Sequence, residues 1–192
     1  MEQTGDSRLR RFAEWLLGLF GWKVILVPPP TQKCVIIFYP HTSNWDFVIG
    51  IVARAAVWFP CHWAGKDTMF RWPFGALFRW LGGIPVNRRE RTGFTTRLVR
   101  EFASRKRFYL VMAPEGTRSH TDHLKSGFYR LALAARVPLA LAFIDYPRRE
   151  IGIGAYVDLV GDEQRDLDAL RRFYADKTGK RPGNQGEIRF AE

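Results

Sequence analysis

The chain has 192 residues, enough for one domain with a real hydrophobic core, and its 46% apolar and 15% aromatic content excludes global disorder. A formal net charge of +11 predicts an anionic partner, with nucleic acid, an anionic membrane surface and a phosphorylated substrate as the candidates. The two cysteines, Cys34 and Cys61, form no Cys-x-x-Cys pair and lie in apolar runs, so we expect buried thiols without a disulfide.

The segment near the N-terminus combines three arginines within residues 8–11 with the apolar run FAEWLLGLFGWKVILVPPP. Glu14 and Lys23 interrupt the run, which lacks the ~18 apolar residues in a row that a membrane-spanning helix needs. A helix with apolar residues around nearly its whole girth either packs in a core or lies in a membrane interface. Because arginines and tryptophans favour the interface, we predict that residues 1–30 form an interfacial helical segment, ended by the three prolines.

The rest of the chain alternates between short strand-like runs and amphipathic helical patterns. This alternation indicates an α/β fold, in which a mostly parallel sheet is flanked by helices. The polar, glycine-bearing residues 179–192 predict a loose tail. Strands are predicted at 34–39, 61–65, 84–87, 108–113, 138–145 and 155–160, and helices at 44–58, 68–81 (bent or split by Pro73), 92–105, 124–136 and 163–175.

Two polar residues, His41 and Asp46, stand in the sequence HTSNWD directly after the first predicted strand. Ligands of parallel sheets bind beyond the carboxyl ends of the strands. A carboxylate that bonds one ring nitrogen of a histidine fixes its tautomer and makes the other nitrogen a better base. The spacing fits equally a histidine that only caps a loop and an aspartate that only interacts with the helix dipole.

Further polar side chains follow other predicted strands. A carboxylate, backbone N–H groups and a guanidinium adjoin in PEGTRS, and single cations that can grip phosphate end WAGK and GGIPVNR, although each cation alone is also an ordinary surface charge. The pair His120 and His123 lacks a cysteine or carboxylate pattern that would complete a metal site, so no metal is predicted. The candidate binding residues are Lys66, Arg88, Glu115, Gly116, Thr117 and Arg118.

Together these segments resemble the glycerolipid acyltransferase family, which includes the 1-acyl-glycerol-3-phosphate acyltransferases. HTSNWD is similar to the family's His-x-x-x-x-Asp motif, and GKDTMFRWPFG to its lysine-containing segment before Pro-Phe. GGIPVNR is similar to the second motif, PEGTRS to the third and RVPLALAFID in part to the fourth. The similar segments occur in family order between residues 34 and about 145.

The resemblance implies a catalytic domain over residues 31–178 that moves a fatty acyl group from acyl-CoA or acyl-carrier protein to the hydroxyl of a glycerolipid such as lysophosphatidic acid. His41 would act as general base, and Asp46 would orient it and stabilise its charge. Glu115 would hold the polar part of the acceptor, and N–H groups near Gly116 would help to stabilise the oxyanion. A thioester is already activated, so neither a covalent enzyme intermediate nor a metal nor a cofactor is expected. The phosphate clamps would be Lys66, Arg88 and Arg118.

The expected partners are a lysolipid acceptor, acyl-CoA or acyl-carrier protein, and an anionic membrane surface. The protein itself is expected to be cytoplasmic and bound peripherally to the membrane surface. Two alternatives stay open. A pI of about 10.2 and abundant aromatic residues also suggest a nucleic-acid-binding module, which would not explain His41, Asp46 and Glu115 at strand ends, so no nucleic acid is expected. The other alternative is a catalytically silent, membrane-binding relative.

Overall fold

The computed structural model describes residues 7–86 and 91–191, which form one sheet with helices on both faces. The strands are β1 (Lys23–Leu26), β2 (Lys33–Tyr39), β3 (Cys61–Lys66), β4 (Gly83–Val86), β5 (Phe108–Met112), β6 (Leu139–Asp145) and β7 (Glu150–Val157). The helices are α1 (Ser7–Leu19), α2 (Asn44–Ala56), α3 (Gly75–Trp80), α4 (Arg91–Ser104), α5 (Gly127–Ala135) and α6 (Glu163–Tyr174). The spatial order is β1-β7-β6-β2-β5-β3-β4, and all neighbours are parallel except β6 and β7. The predicted α/β fold with a mostly parallel sheet is confirmed.

The side chains of each strand alternate between two cores, because successive residues of a strand point to opposite faces. On one face, Val35 and Ile37 of β2 belong to a core that includes buried residues of α4, α5 and α6. On the other face, Ile36 lies in a second core, beside which α1 and α2 pack against β6 and β7. Helix α3 belongs to the same layer as α2, since the rings of Phe47 and Phe78 are 6.0 Å apart.

The N-terminal segment differs from its prediction. Helix α1 ends at Leu19 rather than at the prolines, and Lys23–Leu26 form the edge strand β1, parallel to β7. Gly21, with a φ of 70°, turns the chain between them, because glycine adopts left-handed backbone angles without steric cost. The strand was missed because four residues between other apolar residues do not display a period of two. Within the described residues, no helix is both long and apolar enough to span a bilayer.

Most other elements lie within a few residues of their predicted positions. Pro73 splits the predicted helix 68–81 into a 3-10 turn (Asp67–Phe70) and α3, as expected. Strand β7 begins five residues before the predicted strand 155–160, because a tight turn from Tyr146 to Arg149 returns the chain directly alongside β6. The two cysteines are buried and unpaired, in agreement with the prediction.

The predicted loose tail is wrong for its described part, residues 179–191. This segment folds back along the protein, and Phe190 forms an isolated bridge with Leu124 and packs against the rings of Phe128 and Tyr129. The polar composition that suggested disorder instead provides backbone and side-chain groups for buried partners elsewhere in the chain. We call residues 177–190 the C-terminal strap.

Candidate active site

The sequence HTSNWD builds a capped helix N-terminus at the end of β2. Ser43 is the N-cap of α2 and accepts a hydrogen bond from the Trp45 N–H at 3.2 Å. Asp46 accepts from the N–H groups of Thr42 and Ser43, both at 2.8 Å through Oδ2, which completes a capping box. The carboxylate is 0% exposed, and these donors together with the positive end of the helix dipole stabilise its charge.

Asp46 also holds the side chains on either side of it. The Tyr146 hydroxyl donates to Oδ1 at 2.7 Å, and burial, followed by this bond to Asp46, raises the pKa of the phenol. The Nδ1 atom of His41 lies 3.3 Å from Oδ2, which is one of the two arrangements that the spacing of the motif allows. The angles of a hydrogen bond are not met, and no described residue bonds Nδ1. Catalytic hydrogen bonds are often long and poorly aligned before the substrate binds.

The imidazole of His41 is partly open to its surroundings. Its side chain is 18% exposed, whereas Nδ1 itself is buried, so the exposed part of the ring lies away from Asp46. This arrangement is suited to a histidine that is held from one side and exchanges a proton on the other.

The Glu115 carboxylate is used inside the protein. It is 1% exposed; its Oε2 accepts from the backbone N–H of His41 at 2.6 Å, and its Oε1 from that of Gly186 at 3.1 Å. Burial raises the pKa of Glu115 to about 7, although both N–H groups oppose this shift. The structure therefore ties this carboxylate to the backbone of His41, and the contact with an acceptor that we predicted for it stays a prediction.

The C-terminal strap completes the site from the far end of the sequence. Gly186, which donates to Glu115, also accepts from the Tyr39 hydroxyl at 2.8 Å. The Arg181 N–H donates to Oγ1 of Thr42 at 3.1 Å, next to His41. No local sequence pattern indicates these residues, because the bond from the strap to Thr42 joins positions 139 residues apart.

Lys180 of the strap places its ammonium nitrogen over two rings beside the site. The nitrogen lies 5.2 Å from the ring centre of Trp45 and 6.0 Å from that of Tyr146. Both distances are in the range of attractive cation–π contacts. A positive charge is therefore held near the residues that support His41 and Asp46.

The other predicted binding residues lie at the same edge of the sheet. Residues His41, Glu115 and Lys66 follow or end β2, β5 and β3, which are adjacent in the sheet. Lys66, Thr117 and Arg118 are exposed, and Gly116 has a φ of 65° and donates its N–H to the carbonyl of Ala113. Arg88 lies outside the described residues.

An apolar cavity of about 190 Å³ lies between α2 and the sheet. It runs from His41 and Asp46, at the carboxyl edge of the sheet, toward Phe59 and Cys61 at the beginning of β3. Gly50 lines it from α2, and a Cβ placed on this glycine would meet no atom within 4 Å. This cavity was not predicted from the sequence, because its walls come from several strands that are distant in the chain.

Comparisons with known proteins agree with this geometry. Residues 26–144 match the family model described as acyltransferase. The chain is 34% identical over 134 residues to a 1-acyl-sn-glycerol-3-phosphate acyltransferase of Escherichia coli (strain K12), covering 65% of this chain and 53% of that protein. A protein of the same name from Salmonella typhimurium is 32% identical over 133 residues, with the same coverage. The chain thus spans about half the length of the curated relatives it matches.

Among solved structures, the chain resembles the 1-acyl-sn-glycerophosphate (LPA) acyltransferase of Thermotoga maritima. The TM-score is 0.58 at 14% sequence identity, and the likeness covers 88% of this chain and 78% of that one. At this identity the likeness concerns the fold alone. It includes the layers on both sides of the sheet and extends beyond the residues of the family model.

Proposed function

Because this chain belongs to the acyltransferase family, we propose that it transfers a fatty acyl group from acyl-CoA or acyl-carrier protein to the hydroxyl of a glycerolipid acceptor such as lysophosphatidic acid. The observation that carries the proposal is the position of His41 beside a buried carboxylate and an apolar cavity. A chain with only a binding role would have no need to hold an imidazole against the charge of Asp46 at this point. The name of the curated relatives supports lysophosphatidic acid as the first acceptor to test.

The proposed reaction is a direct transfer. The acceptor hydroxyl attacks the thioester carbonyl while His41 takes its proton; a C–O bond forms, the C–S bond breaks, and the leaving thiolate receives the proton from the imidazolium. The Asp46 carboxylate is held by two backbone N–H donors, and its Oδ2 atom, 3.3 Å from Nδ1, would stabilise the imidazolium. General base assistance of this type contributes about 10²–10⁴ in rate.

Glu115 acts as a positioning residue in this proposal. Its 2.6 Å bond to the His41 N–H fixes the backbone from which the imidazole extends, and its second oxygen is occupied by the strap. An exposure of 1% supports this role better than a direct contact with the acceptor. N–H groups of the turn that contains Gly116 would contribute to stabilising the oxyanion.

The cavity under α2 would receive the acyl chain. Its lining is largely apolar, and each methylene group that moves from water into it contributes about 0.8 kcal/mol. A chain that enters from the carboxyl edge of the sheet passes His41, so its thioester end can remain beside the base. The length of the cavity would then limit the acyl chains that fit.

Cations around the mouth of the site would bind the phosphate of the acceptor. Lys66 and Arg118 are exposed at the carboxyl edge of the sheet, and Lys180 of the strap adds a third charge beside Trp45. Arg88 belongs to this group by its motif. No metal or cofactor is required in this scheme, because the thioester provides the activation.

We also propose that the protein works on an anionic membrane surface. Three apolar side chains of α1 are largely exposed: Phe12 at 56%, Trp15 at 60% and Leu19 at 62%. Exposed apolar side chains on a helix, tryptophan above all, favour a membrane interface. The net charge of +11 supports this location, since each lysine or arginine near an anionic surface contributes about 1 kcal/mol.

The test is acyl transfer by the wild-type protein and the His41→Ala variant, with labelled acyl-CoA or acyl-carrier protein and lysophosphatidate. We expect turnover to fall by about 10²–10⁴, with the melting temperature and vesicle binding unchanged. His123→Ala is the matched control, because His123 is also paired with an aspartate, at 2.7 Å from exposed Asp122, and should retain full activity. Unchanged turnover in His41→Ala would refute the assigned role, and no transfer by the wild type with either donor would favour a silent membrane-binding relative.

A comparison of acceptors tests the phosphate clamps. Lys66→Ala and Arg118→Ala should raise the KM for lysophosphatidate and leave that for a monoacylglycerol nearly unchanged. Equal losses with both acceptors would contradict the clamp assignment.

A further inference from the structure

The exposed apolar side chains of the described residues are concentrated in one layer of the protein. Among the residues that the structure describes, every exposed large hydrophobic side chain except Val160 lies in α1, α2, β1 or α3, or within three residues of one of them in the chain. A monomeric protein rarely exposes contiguous apolar patches of this kind unless they contact a partner or a membrane. The exposed apolar side chains on or beside these elements are Leu9, Phe12, Trp15, Leu19, Phe20, Ile25, Val27, Trp45, Val48, Trp58, Trp72, Phe74, Leu77 and Trp80.

The two most exposed of these side chains lie in one short segment, residues 71–80, which we call the aromatic turn. Trp72 is 94% exposed, Trp80 78%, Phe74 60% and Leu77 47%. Two of the four are tryptophans, whose rings contribute large apolar areas when they leave water.

The aromatic turn is held firmly from beneath. The Phe78 ring lies 5.9 Å from the ring of Trp63 and 6.2 Å from that of Phe70, and the Arg79 guanidinium donates to the Phe70 carbonyl at 3.2 Å. A packed base therefore presents the exposed rings outward. Their exposure is a property of the fold rather than of an unfolded segment.

We propose that the aromatic turn is a membrane-docking element, in which Trp72, Phe74, Leu77 and Trp80 enter the interface of an anionic phospholipid bilayer. Two arginines, Arg71 and Arg79, stand within the same segment and are exposed, where they can meet lipid phosphates. Tryptophan and arginine side by side are typical of the level of the lipid headgroups.

A bilayer explains the distribution of these rings better than a protein partner does. Helix α2 lies between α1 and α3, since it packs against α1 and its Phe47 contacts Phe78 of α3. It exposes its own apolar side chains, Trp45 and Val48. One extended lipid surface contacts all three helices at once, whereas a protein would need an apolar surface shaped to fit them.

Two contacts on opposite sides of α2 would fix the orientation of the protein on the membrane. One contact, through α1, would leave the domain free to rotate about that helix. With the aromatic turn as the second contact, the layer that encloses the apolar cavity faces the lipid. The docking role rests on the proposed membrane location but is independent of catalysis, because it concerns where the protein binds and not what it transfers.

The test uses the full chain and vesicles of phosphatidylcholine and phosphatidylglycerol in equal parts, without an acyl donor. The double variant Trp72→Ala/Trp80→Ala should bind these vesicles about tenfold more weakly or worse, because two large apolar side chains no longer leave water. Its melting temperature should not change, since both side chains are exposed. Val160→Ala, which removes an exposed apolar side chain outside this layer, is the control and should bind as the wild type does.

A second variant locates the ring in the lipid. Trp72→Phe retains an aromatic side chain, so binding persists, but the quenching of tryptophan fluorescence by brominated phosphatidylcholine should decrease. Wild-type affinity in the double variant would overturn the proposal. Concentration-dependent self-association of the wild type without vesicles, abolished in the double variant, would also overturn it, because a second copy of the chain would then cover the patch.

Discussion

The two faces of the sheet are packed with side chains of different size. On the face covered by α4, α5 and α6, strand β6 contributes the large side chains of Leu139, Leu141 and Phe143 to the core. On the opposite face the same strand contributes Ala140 and Ala142, and an apolar cavity of about 190 Å³ lies between the sheet and α2. Residues 139–143 of β6 thus fill one core with large side chains and leave space in the other beside the two alanines, before Ile144 packs against α1 and α2 on the cavity side.

The largest expected effect tests this difference in packing directly. Leu131 of α5 is 1% exposed, and Leu131→Ala should reduce the free energy of unfolding by about 2–5 kcal/mol, because it creates a cavity in a filled core. Ile51 of α2 already borders the apolar cavity, so Ile51→Ala should cost less than half as much. Urea unfolding measures both values, and equal losses would contradict the comparison.

The next effect concerns the buried acid at the catalytic edge. Burial raises the pKa of Glu115 from its ordinary value of 4.5 to about 7, so the folded state binds more protons than the unfolded state between these pH values. The free energy of unfolding therefore falls as pH rises through this window, by about 3 kcal/mol in total, and is constant above it. When the free energy of unfolding is measured as a function of pH, the wild type should show this decline relative to the Glu115→Gln variant, whose side chain cannot ionise. Parallel curves for the two proteins would show that Glu115 does not titrate in this way.

Two tyrosines on opposite faces of the sheet, each bonded to a buried aspartate, allow a test of which face supports catalysis. Tyr146 donates to Asp46 at 2.7 Å, and Tyr129, on the opposite face, donates to buried Asp166 at 2.9 Å. Loss of a hydrogen bond to a charged group costs about 1.5–3 kcal/mol, so Tyr146→Phe should lower kcat/KM about 10–100-fold. Tyr129→Phe should lower the melting temperature and leave kcat/KM unchanged. A loss of activity of the same size in both variants would indicate a general effect of stability.

The substitution with the smallest expected effect on stability tests whether the cavity binds the acyl chain. Gly50→Leu introduces a side chain into open space and replaces a poor helix former, so stability should stay equal or rise by up to about 1 kcal/mol. The new side chain occupies part of the cavity, and transfer of long acyl chains should decrease relative to short ones. The same substitution at Gly18 of α1, where a Cβ also meets no atom within 4 Å, should leave the preference for chain length unaltered. An unaltered preference in Gly50→Leu would place the acyl chain elsewhere.

The sequence predicted the local parts of the site and missed the distant ones. The approach of His41 to Asp46 was one of two arrangements expected from the sequence, because the residues are only five positions apart and the cap of α2 is a local structure. The role of Glu115 could not, since its partners are backbone N–H groups of His41 and of Gly186, which lie 74 and 71 residues away. A polar composition does not distinguish a loose tail from one whose polar groups satisfy buried partners.

Prediction of the fold from the sequence had the same limit: local elements could be predicted, and those that depend on distant partners could not. Long strands such as β6 could be predicted from composition alone, whereas β1 is four residues long and is an edge strand only because β7 returns beside it. Its neighbours in sequence are apolar too, so no local signal separated it from α1. The cavity also depends on contacts between distant elements, so no local sequence pattern indicates it.

The most direct measurement is a double-mutant cycle between His41 and Asp46, with kcat/KM for acyl transfer to lysophosphatidate as the readout. If the carboxylate acts through the imidazole, Asp46→Asn should slow the wild type strongly and add almost nothing to the loss already caused by His41→Ala. Losses that simply multiply in the double variant would mean that the two side chains work independently, and would contradict the account of a histidine held and charge-stabilised by its neighbouring acid.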